Sequence, residues 1–257
     1  MFLIIKSVII YHVIMAHRER EKISLKNISC FEFLPLLKNN SVDLVCIDPP
    51  YEVSRETNFS SGQPTGTNTD RFRVSMDFGD WDNNFSGLDE VIKECYRILK
   101  PSGTIICFYD LWKISNLKCY YEKANFKQIR FIEWLKTNPV PINSKTNYLT
   151  NAREIAITGV KKSKPIFNSE YDNGIYSYPI CHDKGRFHPT QKPLALIEEL
   201  ILKHSNENDL VLDCFSGAGT TALAAFNKRR RFIGCEISKE YYNKSIDRLS
   251  KEGVFDE

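Results

Sequence analysis

Several things are missing from this 257-residue chain, and each absence removes a class of protein. Its eight cysteines form no Cys-x-x-Cys pair and no Cys/His cluster at zinc spacing. Neither a disulfide framework nor a metal centre is expected. Cys46, Cys107, Cys214 and Cys235 sit in apolar runs, as buried thiols do, which suits a reducing, cytoplasmic setting. No Gly-x-x-x-x-Gly-Lys-Ser/Thr segment occurs, so a P-loop is excluded. No apolar run is long enough to span a bilayer comfortably. The nearest is Met1 to Ala16, which Lys6 and His12 interrupt and which has no clear small-residue cleavage site. It reads either as a start-site extension, with Met15 as a second start, or as an extra strand. Excess charge is also scarce: the net is +3. Any surface for a polyanion must therefore come from local clustering.

What remains is ordinary for a globular protein, with 42% hydrophobic and 26% charged residues. The length fits one large α/β domain, or a core with one substantial insertion. Strands are expected over Ile23–Ser29, Val42–Ile47, Thr104–Tyr109, Gln128–Lys136, Leu210–Cys214 and Arg231–Ile237, with a short helical stretch over Phe31–Leu37. Val42–Ile47 is continuously apolar apart from Asp43, as a buried parallel strand is. Helices are expected over Leu88–Leu99, Trp112–Lys123, Pro193–Lys203, Thr220–Asn227 and Tyr241–Lys251. In the first of these, Val91, Ile92, Cys95, Ile98 and Leu99 share a face. Pro101-Ser102-Gly103 reads as a turn. Glu52–Asp77 has no period and reads as a long loop. The alternation implies a mostly parallel sheet with helices on both faces. Four regions follow: an extension at 1–22, a first half at 23–136, an insertion at 137–187 carrying short strands and loops, and a second half at 188–257.

Two segments carry chemistry. Asp213-Cys-Phe-Ser-Gly-Ala-Gly-Thr-Thr221 leaves a strand and opens a helix. Gly217 and Gly219 permit a tight turn, and the helix start offers unpaired N–H groups to an anion. Glu236 ends the next strand, where a carboxylate meets both hydroxyls of a ribose. Asp213 at the strand end argues against a pyrophosphate and suits a ligand bearing an ammonium. The plain alternative is an ordinary strand–turn–helix connection. The second segment, Asp48-Pro49-Pro50-Tyr51, ends a buried strand. An exocyclic base amine is a poor nucleophile because its lone pair is delocalised. Asp48 can accept one N–H and the Pro49 carbonyl the other, and Tyr51 offers a face for an extruded base. The plain alternative is a rigid turn with Asp48 as a cap and Tyr51 in the core.

Together and in this order, the two segments resemble the S-adenosylmethionine-dependent DNA amino-methyltransferases of the β group, over about Ile23 to Lys251. The resemblance implies a permuted Rossmann-like methyltransferase fold with an inserted target-recognition region. It also implies that the strand before Ser29 completes the sheet beside the strand bearing Glu236. It implies catalysis at Asp48, Pro49, Pro50 and Tyr51, and cofactor contacts at Asp48, Asp213, Phe215, Ser216, Gly217, Gly219, Thr220, Thr221 and Glu236. His188-Pro-Thr-Gln-Lys-Pro193 matches a family segment that puts Thr190 and Lys192 near the cofactor carboxylate. Trp134–Pro141 and Asp77–Asp82 match segments flanking the base pocket. Ser29, with Cys30 beside it, stands where relatives often carry an acid, and Cys214 where they usually carry Pro. The implied reaction is methyl transfer to adenine N6 in DNA. Cytosine N4 is the alternative, and relatives of that type more often have Ser in place of Asp48. Glutamine methylation in proteins fits the opposite motif order, and a catalytically dead DNA-binding module conflicts with the intact acids. DNA contacts are expected from Arg71, Arg73, Lys145, Arg153, Lys161 and Lys162, and the plain alternative for any one of them is solvated surface. Lys228–Arg231 is expected to be a helix-end cluster instead. A cognate restriction endonuclease and a second copy of the chain are the further candidate partners.

Overall fold

The computed structural model describes residues 23–51, 85–139, 151–162, 164–181 and 191–255. The extension at 1–22, the loop with Arg71 and Arg73, the Asp77–Asp82 segment, Lys145 and Thr190 lie outside the described residues.

Among the described residues, eight strands form one sheet in the order β1-β8-β7-β2-β3-β5-β4-β6. The strands are β1 (Ile23–Asn27), β2 (Val42–Ile47), β3 (Leu99–Tyr109), β4 (Lys127–Lys136), β5 (Arg153–Val160), β6 (Ile175–Tyr178), β7 (Leu210–Asp213) and β8 (Arg231–Glu236). All run the same way except β5, which is antiparallel to both β3 and β4. The helices are α1 (Cys30–Phe33), α2 (Leu88–Ile98), α3 (Ile114–Lys123), α4 (Leu194–His204), α5 (Thr220–Asn227) and α6 (Lys239–Lys251). Short 3₁₀ turns at Leu34–Leu36 and Leu111–Lys113 precede β2 and α3.

Every residue of β2 is buried, so it needs cover on both faces. One core packs α2, through Leu88, Val91, Ile92, Cys95 and Ile98, and α3 against one face of the sheet. The other packs α4 and α5 against the opposite face. Asp43, the one acid in β2, is held at the strand's start. Lys100 Nζ donates to both its oxygens at 2.8 Å, and the Leu210 N–H donates to Oδ2 at 2.9 Å. All eight cysteines are free, and Cys46, Cys107, Cys214 and Cys235 are buried, as expected.

β1 lies parallel to β8 with Asn27 opposite Glu236, so the first described strand closes the sheet beside one of the last. The Asn27 amide clamps the pair by donating to the Glu236 carbonyl at 2.8 Å. The strand order reverses between β7 and β2. A crevice at the carboxyl ends of the strands opens at such a reversal. Gly234 lets β8 approach β7 there: a Cβ at that position would stand 2.5 Å from the Asp213 carbonyl.

Two expectations are corrected, the turn at Pro101–Gly103 and the DNA contacts at Lys161 and Lys162. Pro101-Ser102-Gly103 does not interrupt β3. It forms an irregularity within the strand, with Ser102 at φ 73° and a register shift against β2. Within the insertion expected over 137–187, the described residues form β5, which lies between β3 and β4, and β6, which extends the edge beyond β4. Lys161 and Lys162 follow β5, whose end lies at the starts of the parallel strands, away from the crevice. Lys161 is buried and donates to Asn40 Oδ1, to the Arg97 carbonyl and to the Leu99 carbonyl at 2.8, 3.1 and 2.7 Å. It closes the end of α2 and is not available to a phosphate. The Lys228–Arg231 run is a helix-end cluster as expected, with Arg230 buried on Ser205 and Lys228 paired with Glu198 at 3.0 Å.

Replacing Lys161 by Met removes these bonds and strands buried carbonyls, at a cost of about 1–3 kcal/mol. We expect a lower melting temperature with no change in the salt dependence of DNA binding. A reduced salt slope with unchanged stability would restore Lys161 as a phosphate contact.

Candidate active site

The crevice between β7 and β2 holds a cavity of about 210 Å³. Its wall brings together Ser29, Cys30, Asp48, Pro49, Pro50, Tyr51, Lys192, Asp213, Phe215, Ser216, Gly217, Thr220, Thr221 and Glu236. Gly219 lies just behind, as the left-handed cap of α5 at φ 72°. Both chemical segments therefore share one site, although 165 positions (213 − 48) separate their leading acids.

The cofactor half is built on two strand ends and a helix start. Glu236 is buried, which pushes its carboxyl up. Its Oε2 accepts the Gly217 N–H at 2.8 Å and its Oε1 the Ser238 N–H at 2.8 Å. One lone pair on each oxygen remains for a ligand. Asp213 is 4% exposed, and burial pushes its pKa up to about 7. Bonds from Thr221 and from the Phe215 N–H, at 3.0 Å, pull the other way, while Asp48 and Glu236 add to the rise. Ser216 Oγ and Gln191 Oε1 are buried against the same cavity and have no hydrogen-bond partner among the described residues. Buried polar atoms are normally satisfied, so both point to a polar ligand. Acids at two strand ends, unsatisfied polar atoms and a helix start fit S-adenosylmethionine, with its ribose, ammonium and carboxylate. An aromatic wall completes this half: Phe85 stands edge-on to Phe215 at 5.4 Å and stacks on Phe31 at 6.0 Å. Ser29 lines the wall, but its hydroxyl is engaged with Glu32, donating to the carboxylate at 2.9 Å and accepting the N–H at 3.3 Å. This capping arrangement starts α1.

The amine half centres on Asp48. Its Oδ1 accepts from the Tyr51 hydroxyl at 2.9 Å, and its Oδ2 accepts from Lys192 Nζ. The Tyr51 ring packs edge-on against Tyr109 at 5.7 Å. Burial pushes the Asp48 carboxyl up and the Lys192 ammonium pulls it back down, leaving a net rise. Lys192 was expected beside the cofactor carboxylate. Here its ammonium is held by Asp48 and, at 3.1 Å, by Glu154, with the Phe108 ring 5.0 Å away.

Sequence reasoning did not single out Glu154, Gln191, Phe31, Phe85 or Phe108. Gln191 could have been found, since it lies inside the His188–Pro193 segment. Nothing in the local sequence marks Glu154, because its partners are 38 residues downstream (192 − 154) and 18 upstream (154 − 136). Of the expected DNA contacts among the described residues, Arg153 starts β5 on the crevice side, where it is mostly exposed and pairs with Glu133 at 3.2 Å.

The Asp213 shift has a signed consequence. A carboxyl raised in the fold above its unfolded value contributes stability below the unfolded pKa. That contribution is lost as pH rises through the folded value, here about 7. A cationic ligand reverses this by favouring the ionised form. Affinity for S-adenosylmethionine should therefore rise between about pH 6 and about pH 8, with proton release on binding. Calorimetry in buffers of different ionisation enthalpy measures both, and Asp213→Asn should flatten the profile. A flat wild-type profile would contradict the assignment.

Comparison with known proteins agrees with this geometry. Residues 42–247 match the N6/N4 DNA methylase family. The chain is 32% identical over 259 residues to the type II methyltransferase M2.LlaDCHI of Lactococcus lactis subsp. cremoris, covering 92% of this chain and 93% of that protein. It is 32% identical over 254 residues to the type II methyltransferase M2.DpnII of Streptococcus pneumoniae, covering 91% of each. Among solved structures, the M1.HpyAVI–SAM complex superposes with a TM-score of 0.67 at 31% identity, over 88% of this chain and 100% of that one. PvuII DNA methyltransferase, described as cytosine-N4-specific, shares the fold with a TM-score of 0.68 at 19% identity, over 92% and 93%. The acids gathered at the strand reversal and the match across most of the chain lead to one assignment: this chain belongs to the S-adenosylmethionine-dependent DNA amino-methyltransferases.

Proposed function

We propose that the chain methylates adenine at N6 within specific DNA sequences. The observation that carries this reading is the position of Asp48. A carboxylate, rather than a hydroxyl, ends β2 in the same cavity as Asp213 and Glu236.

S-adenosylmethionine, when bound, supplies an electrophilic methyl group on a sulfonium. The chain's own residues do the rest. Glu236 offers an oxygen to each ribose hydroxyl while its backbone bonds hold it still. Asp213 meets the ammonium, and the start of α5 with Ser216 meets the carboxylate. On the other side, an extruded base stacks on Tyr51, and its amine gives one N–H to Asp48 and one to the Pro49 carbonyl. Two acceptors turn the nitrogen lone pair out of the ring plane and toward the methyl group. The new N–C bond would form as the C–S electron pair returns to sulfur, and the amine would give up one N–H proton to solvent. Asp48 stabilises the charge that develops on nitrogen. The hydroxyl of Tyr51 fixes the carboxylate's orientation.

Arg71, Arg73, Lys145 and Arg153 are the proposed contacts to DNA around the target, and Lys161 and Lys162 are not among them. The type II relatives support a cognate restriction endonuclease as a functional partner. A second copy of the chain and a cytoplasmic location complete the proposal. Among the described residues, no helix is long and apolar enough to cross a membrane.

Incubation with labelled S-adenosylmethionine and mixed genomic DNA, followed by nucleoside mass analysis, tests the base. N6-methyladenine is expected. N4-methylcytosine would keep the fold and chemistry and overturn the choice of base. For the cofactor half, Glu236→Ala should weaken binding by about 2–3 kcal/mol, roughly 30- to 150-fold. Unchanged affinity in calorimetry would remove the ribose assignment.

A further inference from the structure

Behind Asp48 runs a row of alternating charges that the transfer chemistry above does not use. Lys192 Nζ donates to Asp48 Oδ2 and lies 3.1 Å from Glu154 Oε2. Glu154 Oε1 lies 2.8 Å from Lys136 Nζ at the end of β4. The Lys192 side chain is 7% exposed and sits over the Phe108 ring, so water cannot replace either carboxylate. Glu154 is fixed by the ladder that pairs it with Trp134. Two acids on different strands thus compete for one buried ammonium.

The competition matters because of what Asp48 has to do. An amine gaining positive charge is stabilised best by a carboxylate whose charge is not already neutralised. In the structure, Lys192 neutralises one oxygen of Asp48 and Tyr51 engages the other. Glu154 offers Lys192 a second anion that it already touches. Burial pushes the Glu154 carboxyl up, but Lys192 and Lys136 outweigh it and hold it below the usual range. It is therefore held in its anionic form near neutral pH.

We propose that Glu154 is a positioning residue that draws the Lys192 ammonium off Asp48 when the substrate amine arrives, leaving Asp48 to face the amine as a full carboxylate. This rests on the amine-transfer reading of Asp48. The groups that bear on Asp48 are Lys192 and Glu154, the Tyr51 hydroxyl, Asp213, and the thiols of Cys46 and Cys107. Of these, only Lys192 and Glu154 form the exchange.

The test uses the full-length enzyme and its E154Q and K192Q variants. Single-turnover methyl transfer to DNA is followed against pH, and cofactor affinity is measured by calorimetry. In E154Q, Lys192 belongs to Asp48 alone. The rate should fall about tenfold or more, with cofactor Kd changed by less than about twofold. The acid limb of the rate profile should move down by about one unit. In K192Q, Asp48 loses its cation and the limb should move up. General loosening of the site does not produce opposite shifts. Wild-type rate and acid limb in E154Q, or shifts of the same sign in both variants, would overturn the proposal. If E154Q melts below the assay temperature, E154D carries the test, since it keeps the charge. Recovery to within about threefold of wild type supports the exchange, and a rate as low as that of E154A overturns it. A wild-type enzyme that transfers no methyl to DNA overturns the amine-transfer reading instead.

Discussion

Carboxylates crowded at the end of a parallel sheet dominate this structure. Asp48, Asp213 and Glu236 line one cavity, and each stands at or beside the carboxyl end of a strand. Buried like charges raise one another's cost of ionisation. Asp48 is relieved by Lys192, and Glu236 by two backbone N–H groups. Asp213 has a hydroxyl and one backbone N–H, and burial pushes it up to about 7. A cavity built this way favours a ligand that brings positive charge. S-adenosylmethionine brings two, an ammonium and a sulfonium. On the proposed reading, binding offsets the electrostatic cost of the free site, and the acids that hold the cofactor also set where the methyl group is presented.

The fold serves that arrangement. A ligand crevice forms where neighbouring strands send their connections in opposite directions. Here the reversal falls between β7 and β2, so the cofactor segment and the Asp48 segment meet although they lie far apart in the chain. The β1–β8 pairing joins strands from opposite ends of the described chain.

Much of this was readable in advance, for identifiable reasons. The apolar run Val42–Ile47 is a strand with those bounds because full burial on both faces demands continuous hydrophobicity. The spacing of apolar positions set α2, and Asp213, Gly219 and Glu236 marked a strand–helix–strand unit whose two acids line the cavity. Where the reading failed, the deciding contacts were distant. The pairing of β5 was not legible because the residues from Thr137 onward show no clean period; it enters the sheet antiparallel between β3 and β4. Lys161 reads as surface, yet three oxygens from 40 to 99 in the chain bury it. Lys192 was tied to the cofactor by resemblance, whereas Glu154, invisible in the sequence pattern, shares it with Asp48.

The central claim is that the Asp48 carboxylate acts on the amine and not on the architecture of the site. The most direct test compares Asp48→Ala with wild type for single-turnover methyl transfer to DNA and for S-adenosylmethionine affinity under the same conditions. The account predicts transfer reduced by at least about 10²-fold, with the cofactor still bound and the fold intact. Near-wild-type transfer in the variant would contradict it.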